Sequence, residues 1–113
     1  MIILKILIWG LIASVCFALP GYAYGAEVFM GANGNLVFDP SDISISAGEQ
    51  VTFTNGALPP HNMVVIDHPE LSHPDLAFAT GDSFDVTFDT PGDYEIQCEP
   101  HAGAGMKGVV HVS

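Results

Sequence analysis

Ser83-Phe-Asp-Val-Thr-Phe88, the turn Thr90-Pro-Gly-Asp93 and then Tyr94-Glu-Ile-Gln-Cys98 follow one another with almost nothing between them. Apolar and polar residues alternate through the first run. That is the period of a strand with one face in a core and one in water. Pro-Gly-Asp supplies turn chemistry, and Tyr94, Ile96 and Cys98 then share one face while Glu95 and Gln97 share the other. Nothing in the stretch has a helical period.

The same grammar extends in both directions. Val28–Met30, Leu36–Phe38, Asp42–Ser46, Gln50–Thr54 and Gly108–Val112 read as short strands. Gly31–Asn35 and Ala47–Glu49 read as turns between them, and Pro40 as a bend that breaks the ladder. Asn62–Ile66 is nearly continuous in apolar residues, as for a strand covered on both sides. Between His68 and Phe78, Pro69 and Pro74 leave room for no more than a helical turn. Seven or eight short strands separated by turn signals predict an all-β sandwich.

The core-facing strand ends at Cys98, and Cys98-Glu-Pro-His101-Ala-Gly-Ala-Gly-Met106 follows from it. A lone buried cysteine is ordinarily a packing residue, and so is a lone methionine. The C-x2-H-x4-M spacing changes that reading. One thiolate, two imidazoles and a weak axial thioether are the ligand set of a blue-copper electron-transfer centre. The second imidazole is assigned to His61, in the stiff run Leu58-Pro-Pro-His-Asn62, because a sandwich gathers its strand ends at one pole. Gly103 and Gly105 let the loop curl so that Met106 returns to the same point. Zinc fits less well, since structural zinc sites use four Cys/His ligands and do not recruit methionine. His68 and His73 are expected to be solvated, and His111 to face outward on the last strand. Asn62, directly after His61, reads either as an ordinary strand-start residue or as a bridge from its loop to the Cys98 loop, in the place of a group that orients metal ligands.

The chain has 113 residues, enough for one domain. Lys5 precedes an apolar run from Ile6 to Leu19, and Pro20–Ala26 is small and polar. This predicts an export signal, residues 1–25, cleaved after Gly25, and a domain over residues 26–113. Cleavage after Ala23 or Ala26 also fits. An uncleaved anchor is the alternative, because residues 2–19 nearly reach the ~20 apolar residues of a membrane span. Cys16 lacks the small residue expected beside a lipidated cysteine.

Residues 26–113 hold all 13 acidic residues against the single Lys107, a net charge of −12. That excludes a nucleic-acid binder, and it reads equally as a device for solubility and as steering toward cationic partner surfaces. With Cys16 removed, Cys98 is left without an internal disulfide partner, so it is free, intermolecular or a ligand.

Three segments carry a resemblance: Gly34-Asn-Leu-Val-Phe-Asp-Pro40, Leu58-Pro-Pro-His-Asn62, and Tyr94-x3-Cys98-x-Pro-His101-x-Gly-Ala-Gly-Met106-x-Gly108. In these the chain resembles the plastocyanins, of cyanobacterial type, within the cupredoxin superfamily. Pseudoazurins and halocyanins share the C-x2-H-x4-M spacing. The resemblance implies an eight-stranded Greek-key sandwich holding one copper ion, Cu(I)/Cu(II), on His61, Cys98, His101 and Met106, with His101 exposed as the route for the electron. It implies an apolar docking patch of Gly34, Leu36, Leu58, Pro59, Pro60, Gly103 and Ala104. It also implies a monomeric carrier, not an enzyme, that meets the membrane only through its partners. Those partners would be cytochrome f as donor and photosystem I as acceptor, met transiently in a thylakoid lumen. A periplasmic donor of the halocyanin or pseudoazurin kind is the alternative, and a copper storage or delivery protein a more distant one. Three residues depart from the family pattern. Gln97 stands where an aromatic residue usually precedes the copper cysteine. Ala102 stands where cyanobacterial members often have arginine, and Lys107 follows the axial methionine where an apolar residue is common.

Overall fold

The computed structural model describes residues 25–113. The expected leader lies outside them apart from Gly25. Among the described residues, no helix is long and apolar enough to cross a membrane.

Nine strands form the domain: β1 (Ala26–Ala32), β2 (Asn35–Asp39), β3 (Asp42–Ile45), β4 (Glu49–Asn55), β5 (His61–Val65), β6 (His73–Ala77), β7 (Ser83–Phe88), β8 (Gly92–Gln97) and β9 (Lys107–Val112). They build a four-stranded sheet, β2-β1-β4-β7, and a five-stranded sheet, β3-β9-β8-β5-β6. Both are mixed: β1 runs parallel to β4 and β3 parallel to β9, while the remaining neighbours are antiparallel. The chain changes sheet between β2 and β3, at Pro40 and Ser41, where proline ends one ladder. It changes sheet again at the Pro91 turn, so β7 and β8 face each other across the core.

The alternation does what it predicts. Val51 and Phe53 of β4 turn inward, as do Tyr94 and Ile96 of β8, and all four are buried. Phe53 packs edge-on to Phe38 at 6.2 Å between ring centroids and stacks on Phe84 at 5.4 Å. Each fully buried aromatic contributes about 1.5–3 kcal/mol. β5 lies between β8 and β6, and four of its five residues are buried. That explains its unbroken apolar run.

Two local expectations are corrected. The strand count is nine rather than eight, the additional one being β6. Its sequence, His-Pro-Asp-Leu-Ala, is largely exposed and contains a proline. It pairs through its backbone at a sheet edge, where proline is tolerated, and so leaves little apolar periodicity to read. A 3-10 turn at Pro69–Leu71 precedes it. The second correction concerns Gly31, which is not in a turn. β1 continues to Ala32, with an irregularity between Met30 and Ala32, and the turn is Asn33-Gly34.

Candidate metal centre

Four of the residues singled out by the sequence sit at one pole of the sandwich. His61 opens β5, Cys98 follows β8, His101 lies in the 3-10 turn Glu99–Ala104, and Met106 precedes β9. Strand register explains the gathering. Gln97 pairs with Lys107 across β8 and β9, so Cys98 meets Met106 one step beyond, and the Cys98 amide donates to the Met106 carbonyl at 3.0 Å. The Met106 amide in turn donates to the His101 carbonyl at 3.2 Å. Gly105 adopts φ 90°, which favours glycine, and its amide closes the turn on the carbonyls of Ala102 and His101.

Cys98 Sγ lies 3.7 Å from His61 Nδ1 and 3.5 Å from His101 Nδ1, and the three ligand atoms fall within 4.8 Å of one another. Metal–sulfur bonds of ~2.3 Å and metal–nitrogen bonds of ~2.0 Å, opened to between tetrahedral and trigonal angles, give ligand–ligand edges of about 3.5–3.8 Å. The two sulfur–nitrogen edges therefore fit a first-row transition ion without rearrangement. His61, Cys98 and Met106 are fully buried, whereas His101 is only partly covered.

The ligand atoms are held by groups behind them. His61 Nε2 is 2.7 Å from the Ala57 carbonyl and must donate to it, which leaves Nδ1 bare and turned toward Cys98. Burial holds the His61 pKa below the usual imidazole value; the hydrogen bond to Ala57 opposes this and neighbouring His101 adds to it, so the net effect favours the neutral ring that ligates metals. Burial pushes the Cys98 thiol up, while the amides of Asn62 and His101 partly offset this by favouring the thiolate. A cation bound by Cys98 would complete that offset, since the thiolate is the ligating form.

Asn62 spans the two loops. Its Nδ2 donates to Glu99 Oε1 and to the Pro74 carbonyl, each at 3.0 Å, and its Oδ1 accepts from the Glu99 amide at 2.8 Å. Sequence reading missed two participants. Gly31 has φ 82°, and a Cβ there would stand 1.9 Å from the Ala57 carbonyl and 2.8 Å from His61 Nε2. Only glycine allows the strand to pass so close. Its signal was a glycine inside a strand pattern. The Ala57 carbonyl itself left no signal, because any residue carries one.

The remaining histidines stand apart from the cluster. His73 departs from expectation: it is not simply solvated but stacks on Phe84 at 3.8 Å between ring centroids, nearly coplanar. His68 pairs with Glu70 at 2.9 Å. His111 faces outward between Asp93 and Asp42. Of the expected apolar rim, Gly34, Leu58, Pro59, Gly103 and Ala104 are exposed, while Leu36 and Pro60 are half-buried. The rim's loops share the pole of the cluster, since the Ala57 amide donates to the Gly31 carbonyl at 3.0 Å.

Residues 26–113 match the family model for copper binding proteins of the plastocyanin/azurin type. The chain belongs to the plastocyanin/azurin family. It is similar to the chloroplastic plastocyanin of Physcomitrium patens, 46% identical over 112 residues, covering 91% of this chain and 67% of that one. It is also similar to the chloroplastic plastocyanin of Hordeum vulgare, 44% identical over 110 residues, covering 89% of this chain and 71% of that one. Among solved structures, a mutant fern plastocyanin superposes with a TM-score of 0.70 at 35% identity, covering 77% of this chain and 99% of that one. The donor set and its spacing agree with the copper-binding character of the family. Copper, when bound, supplies a one-electron Cu(I)/Cu(II) couple, for which a thiolate with two imidazoles suits both states. A plastocyanin-family domain with this site is a type 1 copper electron carrier.

Proposed function

We propose that this chain accepts an electron from cytochrome f and passes it to photosystem I, in a thylakoid lumen, after removal of a leader ending at Gly25. The observation that carries the reading is the unequal burial of the ligand residues. His61, Cys98 and Met106 are sealed, and His101 alone reaches toward solvent, at the pole where Leu58, Pro59, Gly103 and Ala104 are exposed. An electron leaves most readily through that ring, and a small apolar rim suits brief docking. The chloroplastic plastocyanins among its relatives support the compartment. Four ligands from the chain leave no open position for a substrate, so we do not read it as an enzyme. Burial and stiff proline-bearing loops also argue against copper delivery.

The test is direct. Copper-loaded residues 26–113 should be reduced rapidly by cytochrome f and re-oxidised rapidly by photosystem I in flash experiments. Slow reaction with both would overturn the assignment of partners and favour a periplasmic chain of the pseudoazurin or halocyanin kind.

A further inference from the structure

On the outer face of the five-stranded sheet, His111 of β9 stands directly opposite Asp93 of β8 and Ser44 of β3. Asp42 lies two residues before Ser44, and the period of a strand puts it on the same face. Asp42 and Asp93 are exposed and His111 is half-buried. Among the described residues, the ion pairs of both carboxylates are with His111 alone.

The two ring nitrogens are used differently. Nδ1 is 2.8 Å from Asp93 Oδ1, an ordinary hydrogen bond in which the ring donates. In the neutral ring that bond keeps the proton on Nδ1, so Nε2 turns a lone pair toward Asp42 Oδ1, 3.4 Å away. That separation is long for a hydrogen bond. It is the edge that a metal ion spans. Bonds of ~2.0 Å to nitrogen and ~2.0–2.2 Å to oxygen, at a tetrahedral angle, set the two atoms about 3.3–3.5 Å apart. A carboxylate behind the far nitrogen is also the usual support of a metal-bound imidazole. His68 lacks this arrangement: Glu70 lies 2.9 Å from its Nδ1 and, among the described residues, no carboxylate bonds its other nitrogen.

We propose that His111 Nε2 and the Asp42 carboxylate form a second metal site, for a zinc-type divalent cation, with Asp93 as the positioning residue and water completing the shell. Imidazole and carboxylate together suit such an ion. The field of residues 26–113, 13 acidic residues against one lysine, draws cations to this surface. The ion clasps β3 to β9. His111 lies five residues beyond Met106 on the chain, about 17 Å at ~3.3 Å per residue, so the site shares no ligand with the copper centre. It does not depend on the electron-transfer partners proposed above.

Zinc chloride is the probe, and the reduced, copper-loaded protein is the sample, so that the copper ligands are already engaged. Calorimetry at about pH 7.5, where imidazole is largely neutral, should show one site of sub-millimolar Kd. Zinc-induced amide shifts in NMR spectra should centre on Asp42, Asp93 and His111. His111→Gln and Asp42→Asn should each weaken zinc at least tenfold, and Asp93→Ala about tenfold. His68→Gln should leave the affinity unchanged. Magnesium, which prefers oxygen ligands and gives up its water reluctantly, should bind at least tenfold more weakly than zinc. The blue absorption of each oxidised variant reports that the fold and the copper centre are intact. Equal affinity for zinc and magnesium, or a zinc affinity unmoved by His111→Gln, overturns the site and leaves only the attraction of counterions. Loss of zinc in His68→Gln instead overturns it in favour of the Glu70 pair.

Discussion

Asn62 is 2% exposed and makes three hydrogen bonds, two of them reciprocal with Glu99. It ties the start of β5 to the first residue after Cys98, so it sets the spacing of His61 and Cys98 whether or not a metal is present. Asn62→Ala removes all three bonds made by a buried side chain, which costs about 2 kcal/mol. Urea denaturation of the metal-free protein should register that loss, and a change under about 0.5 kcal/mol would show the bridge to be dispensable. The residues that bear chemistry were legible because their types are rare in other roles at that spacing. The residues that place them were less so. Asn62 has a side chain that advertises a bond, whereas Gly31 and the Ala57 carbonyl act through backbone proximity, which sequence spacing does not encode.

At the scale of elements, β9 is central to its sheet, between β3 and β8. On the outer face His111 joins all three strands, with Nδ1 at 2.8 Å from Asp93 Oδ1 and Nε2 at 3.4 Å from Asp42 Oδ1. Hydrogen bonds to Asp93, and then to Asp42, raise the His111 pKa above the usual 6.5. The folded state thus holds this proton more tightly than the unfolded chain. The stabilisation is full below the unfolded value and is lost as pH rises through the folded one. His111→Gln should therefore narrow the stability gap to wild type as conditions move from about pH 5.5 to about pH 8. A gap independent of pH would show that the clasp does not hold the strands. Elements with strong alternation, such as β4, β7 and β8, could be drawn from the sequence. β6 could not, because an exposed edge strand is held by backbone pairing to β5 and its side chains are under no periodic constraint.

For the whole molecule the dominant quantity is charge. A net −12 over residues 26–113 sets up a field that accelerates encounter with a cationic partner and slows it with an anionic one. Raising ionic strength from about 0.01 to 0.15 M shortens the screening length from ~30 to ~8 Å. Electron transfer with a cationic partner should then slow on the order of tenfold. Stopped-flow or flash kinetics across that range give the sign, and a rate that rises with salt would mean the partner meets this surface against repulsion.

The sequence by itself determined the all-β class, most of the strands, the single domain and the residue types of the metal centre. Those follow from alternation, turn chemistry and ligand spacing, all of them local. The tertiary structure alone decided which strands share a sheet and the distances at which the imidazoles meet the thiol, 3.7 Å for His61 and 3.5 Å for His101. It also decided that Gly31 and the Ala57 carbonyl stand against the His61 ring. Each of these depends on register between strands distant in the chain, and register is fixed by packing the two sheets together rather than by any one segment.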